Sequence, residues 1–122
     1  MLWTREFSAI LTENNSIFIR KLKRMTSKEY ILSEMKRHKD ILLNFRVVKV
    51  GLFGSYVRGQ QSNESDIDIL IEFESGKENF DNYMSVYDLF ENIFKNEKVE
   101  IVTKNGLSRY IGPQILKEVA YT

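Results

Sequence analysis

Gly54-Ser55-Tyr56-Val57-Arg58-Gly59, a polar loop, then Ser65-Asp66-Ile67-Asp68-Ile69-Leu70: this stretch decides the fold. It connects two apolar segments, Val47 to Phe53 and Ser65 to Phe73, whose β-branched content gives them strand character. Side chains alternate faces along a strand. Asp66 and Asp68 therefore point one way, while Ile67, Ile69 and Ile71 point the other. Two acids on one face of a half-buried strand destabilise it unless a cation stands between them. A divalent metal is the simplest such cation. Taken alone, an Asp-x-Asp strand also fits an exposed edge or a salt-bridged pair, and Gly-Ser alone fits a tight turn. Their spacing, with Arg58 between them, favours a phosphate and metal site.

Outward from this stretch, helical periods appear on both sides. Thr26 and Glu29 fit a capping box. Ile31, Met35, His38, Leu42 and Phe45 then recur every three or four residues, as one face of a helix does. His38 is the only histidine, and on that face it fits a packed or edge residue better than a ligand. After the second strand, Glu74 to Glu78 reads as a turn. Phe80, Tyr83, Met84, Tyr87, Phe90 and Phe94 form an aromatic helical stripe expected to be core, with Asn79 or Asp81 as its cap. Val99 to Thr103 is a third strand and Asn105-Gly106 a turn. Leu107 to Tyr121 reads as a final helix, regular from Pro113, with Ile115, Leu116, Val119 and Ala120 on its buried side. The expected order is α-β-α-β-α-β-α: an α/β (α+β) domain with a small sheet flanked by helices.

Composition bounds the function. A chain of 122 residues with 43% hydrophobic content is long enough for one cored domain. A net charge of +1 fits neither a strongly basic nucleic-acid binder nor an acidic tail, so no direct nucleic-acid binding is expected. Cysteine is absent, which rules out disulfides and thiolate zinc sites and suits a cytoplasmic location. No apolar run approaches the roughly 18–20 residues that span a bilayer, so no membrane association is expected. Residues 1–24 differ from the rest. They end in the basic run Arg20-Lys21-Leu22-Lys23-Arg24 and carry five basic against two acidic residues. They read as an N-terminal extension, with residues 25–122 as the domain. Met25, followed directly by the helix start, is a candidate natural first residue; an extra N-terminal helix or arm is the alternative.

The chemistry follows from the spacing. Backbone N–H groups at a Gly-Ser strand-to-helix turn point outward and favour an anion. Gly54 allows close approach, Ser55 adds a hydroxyl, and Arg58 offers a positive fork suited to phosphate. Asp66 and Asp68 can jointly bind Mg²⁺, which prefers oxygen ligands. A third carboxylate would complete a two-metal site. Glu100 alternates with Val99 and Ile101 on the third strand, so it can share the carboxylate face.

Gly54-Ser55, Arg58-Gly59 and Ser65-Asp66-x-Asp68 together resemble the signature of the nucleotidyltransferase superfamily of the DNA-polymerase-β type, in its minimal nucleotidyltransferase branch. The resemblance covers roughly residues 26–121. It implies the nucleotidyltransferase fold with a mixed sheet, and phosphate binding by Gly54, Ser55, Arg58 and Ser65. It also implies two Mg²⁺ ions held by the catalytic carboxylates Asp66, Asp68 and Glu100. Glu100 stands where the family usually has aspartate, so its oxygen is placed differently and rate is affected more than nucleotide binding. Such minimal enzymes lack an acceptor-binding domain and pair with HEPN-domain toxins. The implied reaction is transfer of AMP from ATP to a tyrosine hydroxyl of that toxin. Alternatives are an antitoxin that acts by occlusion with a weak or inactive site, and a stand-alone transferase for a small hydroxylated molecule. Homo- or hetero-oligomers fit the same resemblance.

Overall fold

A computed structural model describes residues 27–122. The expected N-terminal extension, Met25 and Thr26 lie outside the described residues. Helix α1 spans Lys28–Arg37. Its N-cap is Ser27, whose Oγ accepts from the Tyr30 N–H at 3.2 Å. The cap is thus one residue later than the expected Thr26–Glu29 box. The apolar stripe holds: Ile31, Met35 and Leu42 are buried and Phe45 packs against them. The helix, however, breaks at His38, and α2 resumes over Lys39–Asn44. The His38 N–H is shared between the Glu34 and Met35 carbonyls, and the imidazole Nδ1 lies 2.8 Å from the same Glu34 oxygen. A side chain that competes for the carbonyl four residues back loosens the helical ladder at that point.

Strand β1 covers Val47–Phe53 and β2 covers Ile67–Phe73. Between them the four-residue helix α3, Ser55–Arg58, ends at Gly59 in the left-handed conformation (φ 71°). Helix α4 is Phe80–Ile93, capped by Asn79, whose side chain accepts from the Asn82 N–H at 2.9 Å. Strand β3 is Val99–Thr103, followed by a 3₁₀ turn at Lys104–Gly106. Helix α5 is Gly112–Glu118, and strand β4 is Ala120–Tyr121.

The sheet has the order β3-β2-β1-β4. β1 pairs antiparallel with β2 and with β4, while β2 and β3 run parallel, so the sheet is mixed as expected. Its two faces are unlike. Val50, Leu52, Ile67, Ile69, Ile71, Val99 and Ile101 face α1, α2 and α4 and form one core with Val86, Phe90 and Phe94. On the alternate positions stand Gly51, Phe53, Asp68, Leu70, Glu100 and Val102. Of these, Phe53, Asp68, Glu100 and Val102 line a cleft with the segment from Gly106 to Glu118, and Gly51 packs against Val119 and Tyr121. The later part of the α4 stripe, Phe90 and Phe94, is therefore core, with Tyr83 and Tyr87 packed against it, but Phe80 at the helix start is 75% exposed, against expectation; the carboxylates are on the opposite face.

The C-terminus departs from the expected single helix. Val119 turns to an extended conformation (φ −60°, ψ 133°), and Ala120 and Tyr121 pair with Leu52 and Gly51. The reason is β1, whose outer edge would otherwise present unpaired backbone groups. The Thr122 N–H donates to the Val50 carbonyl at 3.1 Å. Val119 and Ala120 thus pack through a strand rather than along a helix. Gly51 makes this possible: a Cβ there would lie 2.6 Å from Val119 Cγ2 and 3.0 Å from the Ala120 carbonyl. Among the described residues no helix is long and apolar enough to cross a membrane.

Gly51→Ala is expected to force β4 away from β1 and lower stability by about 1–3 kcal/mol in urea melts. At Gly59, where nothing lies within 4 Å of an added Cβ, alanine is expected to lose only the left-handed backbone preference, about 1–2 kcal/mol.

Candidate active site

The site is built where β1 ends. Gly54 adopts φ 81°, ψ −155°, a region open essentially to glycine. The reason is local: a Cβ at Gly54 would run into the Asp68 carboxylate. Asp68 pairs with Phe53 across the antiparallel ladder and with Glu100 across the parallel one. The turn and two acids are thus brought together by sheet register alone. Tyr56 anchors the turn from below, with 1% of its surface exposed within the hydrophobic core.

Asp68 is half-buried and stands directly across the parallel ladder from Glu100. Burial first, then the nearby carboxylates Glu100 and Asp66, push its carboxyl up to about 6, against a weaker opposing pull from Arg58. Carboxylates side by side repel one another unless a proton or a cation stands between them. The donor set is hard oxygen, which is the chemistry Mg²⁺ prefers, so Asp68 and Glu100 fit such an ion. Asp66 stands one residue before β2, 3.9 Å from Lys98 Nζ. Among the described residues no three Asp, Glu or His side chains converge into a ready-made metal cage.

A cleft of ≈ 470 Å³ opens over this face. Its floor is Phe53, Gly54, Asp68, Glu100 and Val102, and its wall is Leu107, Ile111, Gln114 and Ile115. At one end Arg58 meets Glu118. Arg58 Nη1 donates to both Glu118 oxygens, at 2.9 and 3.2 Å, and the Gly54 N–H donates to Glu118 Oε2 at 2.8 Å. The fork expected to face phosphate is thus engaged by an internal carboxylate. Ser55 is half-buried at the start of α3. Ser65 Oγ accepts from the Ser62 N–H at 2.8 Å and so closes the loop that leads into β2.

Residues 31–121 match the nucleotidyltransferase domain family. The chain belongs to that family. This nucleotidyltransferase is 34% identical to the protein adenylyltransferase MntA of Thermococcus cleftensis, over 80% of this chain and 97% of that one. It is 38% identical to a Methanocaldococcus jannaschii protein named as a candidate protein adenylyltransferase, over 74% of this chain and 96% of the relative. A solved structure of a candidate minimal nucleotidyltransferase superposes with a TM-score of 0.67 at 25% identity, covering 79% of this chain and 96% of that one. A chain from a toxin–antitoxin crystal structure with AMP-PNP shares the fold at a TM-score of 0.55 and 20% identity, with 70% and 69% of the two chains covered.

The structure of this nucleotidyltransferase brings Gly54, Asp68 and Glu100 into one cleft with Arg58. Asp66, Ser55 and Ser65 are not part of the cleft lining. Sequence reasoning missed Glu118 and the wall of α5. Glu118 reaches Gly54 across 64 positions, and no local spacing or motif announces such a contact.

The raised Asp68 pKa sets a pH dependence. The folded chain holds that proton more tightly than the unfolded chain, whose value is near 3.8. The pair therefore lowers stability progressively as pH rises from there through about 6. Asp68→Asn is expected to raise the melting temperature at pH 7.5 and leave it nearly unchanged at pH 4, as thermal melts of both proteins without metal would show.

Proposed function

We propose that this nucleotidyltransferase is the antitoxin of a toxin–antitoxin pair and transfers AMP from ATP, with Mg²⁺, to a tyrosine hydroxyl of a partner HEPN-domain toxin. The observation that carries the reading is the cross-strand Asp68–Glu100 pair on the floor of a cleft that also holds the Gly54 turn. Relatives named as protein adenylyltransferases and a fold shared with a toxin–antitoxin chain support it. The net charge, the lack of cysteine and the reaction partners fit a cytoplasmic location.

In this reading the hydroxyl oxygen attacks the α-phosphorus, and the bond from that phosphorus to the bridging oxygen breaks, so pyrophosphate leaves. Gly54 and Ser55 hold the phosphates of the departing end, with Arg58 at the end of the turn. Asp66, Asp68 and Glu100 would hold Mg²⁺, which when bound neutralises the triphosphate and makes the attacking hydroxyl more acidic. Glu100 would act on the attacking hydroxyl. Leu107, Ile111 and Ile115 supply an apolar wall beside the reacting groups. Most of the rate in such chemistry comes from positioning and charge neutralisation.

A mass increase of one AMP on the partner, given ATP and Mg²⁺, is the expected outcome. Asp68→Ala and Asp66→Ala should lower it by about 10²-fold or more. No mass shift on any partner with any nucleotide would sink the reading. Glu100→Gln should slow transfer while leaving nucleotide affinity within about twofold, which separate binding and single-turnover measurements resolve.

One observation favours a second reading, neutralisation by occlusion: the described carboxylates form no ready-made metal cage. A variant with both Asp66 and Asp68 replaced that still protects cells would support occlusion over transfer.

A further inference from the structure

Glu118 is an acid in the cleft that the proposed chemistry does not use, and both its oxygens are engaged on one short piece of chain. Oε2 accepts from the Gly54 N–H at 2.8 Å. Arg58 Nη1 donates to Oε1 at 2.9 Å and to Oε2 at 3.2 Å. Gly54 and Arg58 are the two ends of the turn that leads from β1 into α3. One carboxylate therefore ties both ends together. Within the turn, the Val57 and Arg58 N–H groups both donate to the Gly54 carbonyl. Arg58 is steadied further by its Nε, which donates to Gln60 Oε1 at 3.1 Å.

Two features make this contact stronger than a surface ion pair of the same length. The Glu118 side chain is only 17% exposed, so its bond from the Gly54 N–H is sheltered, although Arg58 on the other side is 46% exposed. Gly54 also sits in a backbone region that persists only where the surroundings hold it. The anchor itself is fixed. Glu118 is the last residue of α5, Val119 packs where a Gly51 side chain would be, and Ala120 and Tyr121 pair with β1. The strand that delivers the turn thus also fixes the carboxylate that holds it.

A carboxylate at an anion-binding turn could act in two ways. It could stand in for phosphate and compete with it, or it could shape the turn that receives phosphate. A competitor has to leave, and here leaving breaks three hydrogen bonds at once, one of them to the backbone of Gly54. None of its contacts involves Ser55, the residue of the turn that carries a hydroxyl. We propose that Glu118 is a positioning residue: it holds the Gly54–Arg58 turn in its receiving shape and couples that shape to the α5 wall of the cleft. The proposal rests on the phosphate role given to the turn above.

The test compares the full chain with Glu118→Gln by amide hydrogen exchange and by calorimetric titration with AMP-PNP and Mg²⁺. The expected result is that Gly54 amide exchange accelerates by about tenfold or more, while amides in the middle of β2 stay unchanged. Nucleotide affinity is expected to fall by a similar factor, and Glu118→Gln added to Arg58→Gln should cost less affinity than it does alone. Unchanged Gly54 exchange overturns the proposal. Equal or tighter AMP-PNP binding by Glu118→Gln also overturns it and shows a competing carboxylate. If the unaltered chain binds no nucleotide, the transferase reading fails, and the exchange result alone still decides whether Glu118 holds the turn.

Discussion

Asp68 is the constraint on which the rest of the structure depends. It lies on β2, a strand paired on both sides, next to the buried Leu70 on the same face, and it is half-buried against the backbone of Gly54. A carboxylate there is unfavourable for folding alone, since burial and the nearby Glu100 both oppose its charge. The chain accommodates it with two costly choices. Position 54 must be glycine, in a conformation that other residues avoid. The neighbour across the parallel ladder is another acid, a further cost that a proton or a cation between the two would relieve. Local rules broken in this way, within a core that otherwise follows them, are the mark of a site kept for chemistry.

The architecture around that site divides the work between the two faces of the sheet. The α1, α2 and α4 face holds almost all of the large buried apolar side chains. It can hold the sheet together without help from the other face, which leaves that face free to carry Asp68, Glu100 and a cleft. The C-terminal segment then has two tasks. It supplies the apolar wall of the cleft through Leu107, Ile111 and Ile115, and it closes the edge of β1 through Ala120 and Tyr121. A strand of two residues is enough because Gly51 removes the side chain that would keep it away.

What was legible in the sequence was whatever is written within one element. The three longer strands, the helix over Phe80–Ile93, the Gly59 stop and the Asn79 cap all follow from period, capping or turn chemistry over a few residues. So did the shared face of Asp68 and Glu100, because alternation along two strands fixes it. Most of the features that escaped depend on distant partners. The break at His38 is the local exception, a side chain competing for the carbonyl four residues back. The fourth strand exists because β1 has an open edge, which the residues of 119–122 do not announce. Glu118 acquires its role only when the fold carries it to Gly54. Arg58, read from its spacing as a free fork for phosphate, turns out to be held by that same carboxylate.

The glutamate at position 100 bears on how far the family pattern carries over. An extra methylene could have moved the acid out of reach of its neighbour. It does not: Glu100 lines the same cleft as Asp68, its partner across the parallel ladder. β3 is the edge of the sheet, and Val99 and Ile101 on either side of Glu100 are held in the core, so the backbone at position 100 has little freedom to shift. The added length must then be taken up by the side chain alone. The departure from aspartate therefore alters where along the cleft position 100 presents its oxygens, while the position still lines the cleft. A longer side chain also loses more rotamer freedom when a ligand fixes it. That cost falls on the step that orders Glu100 with the acceptor, and not on the Gly54 turn, whose shape is set from the other end of the cleft by Glu118.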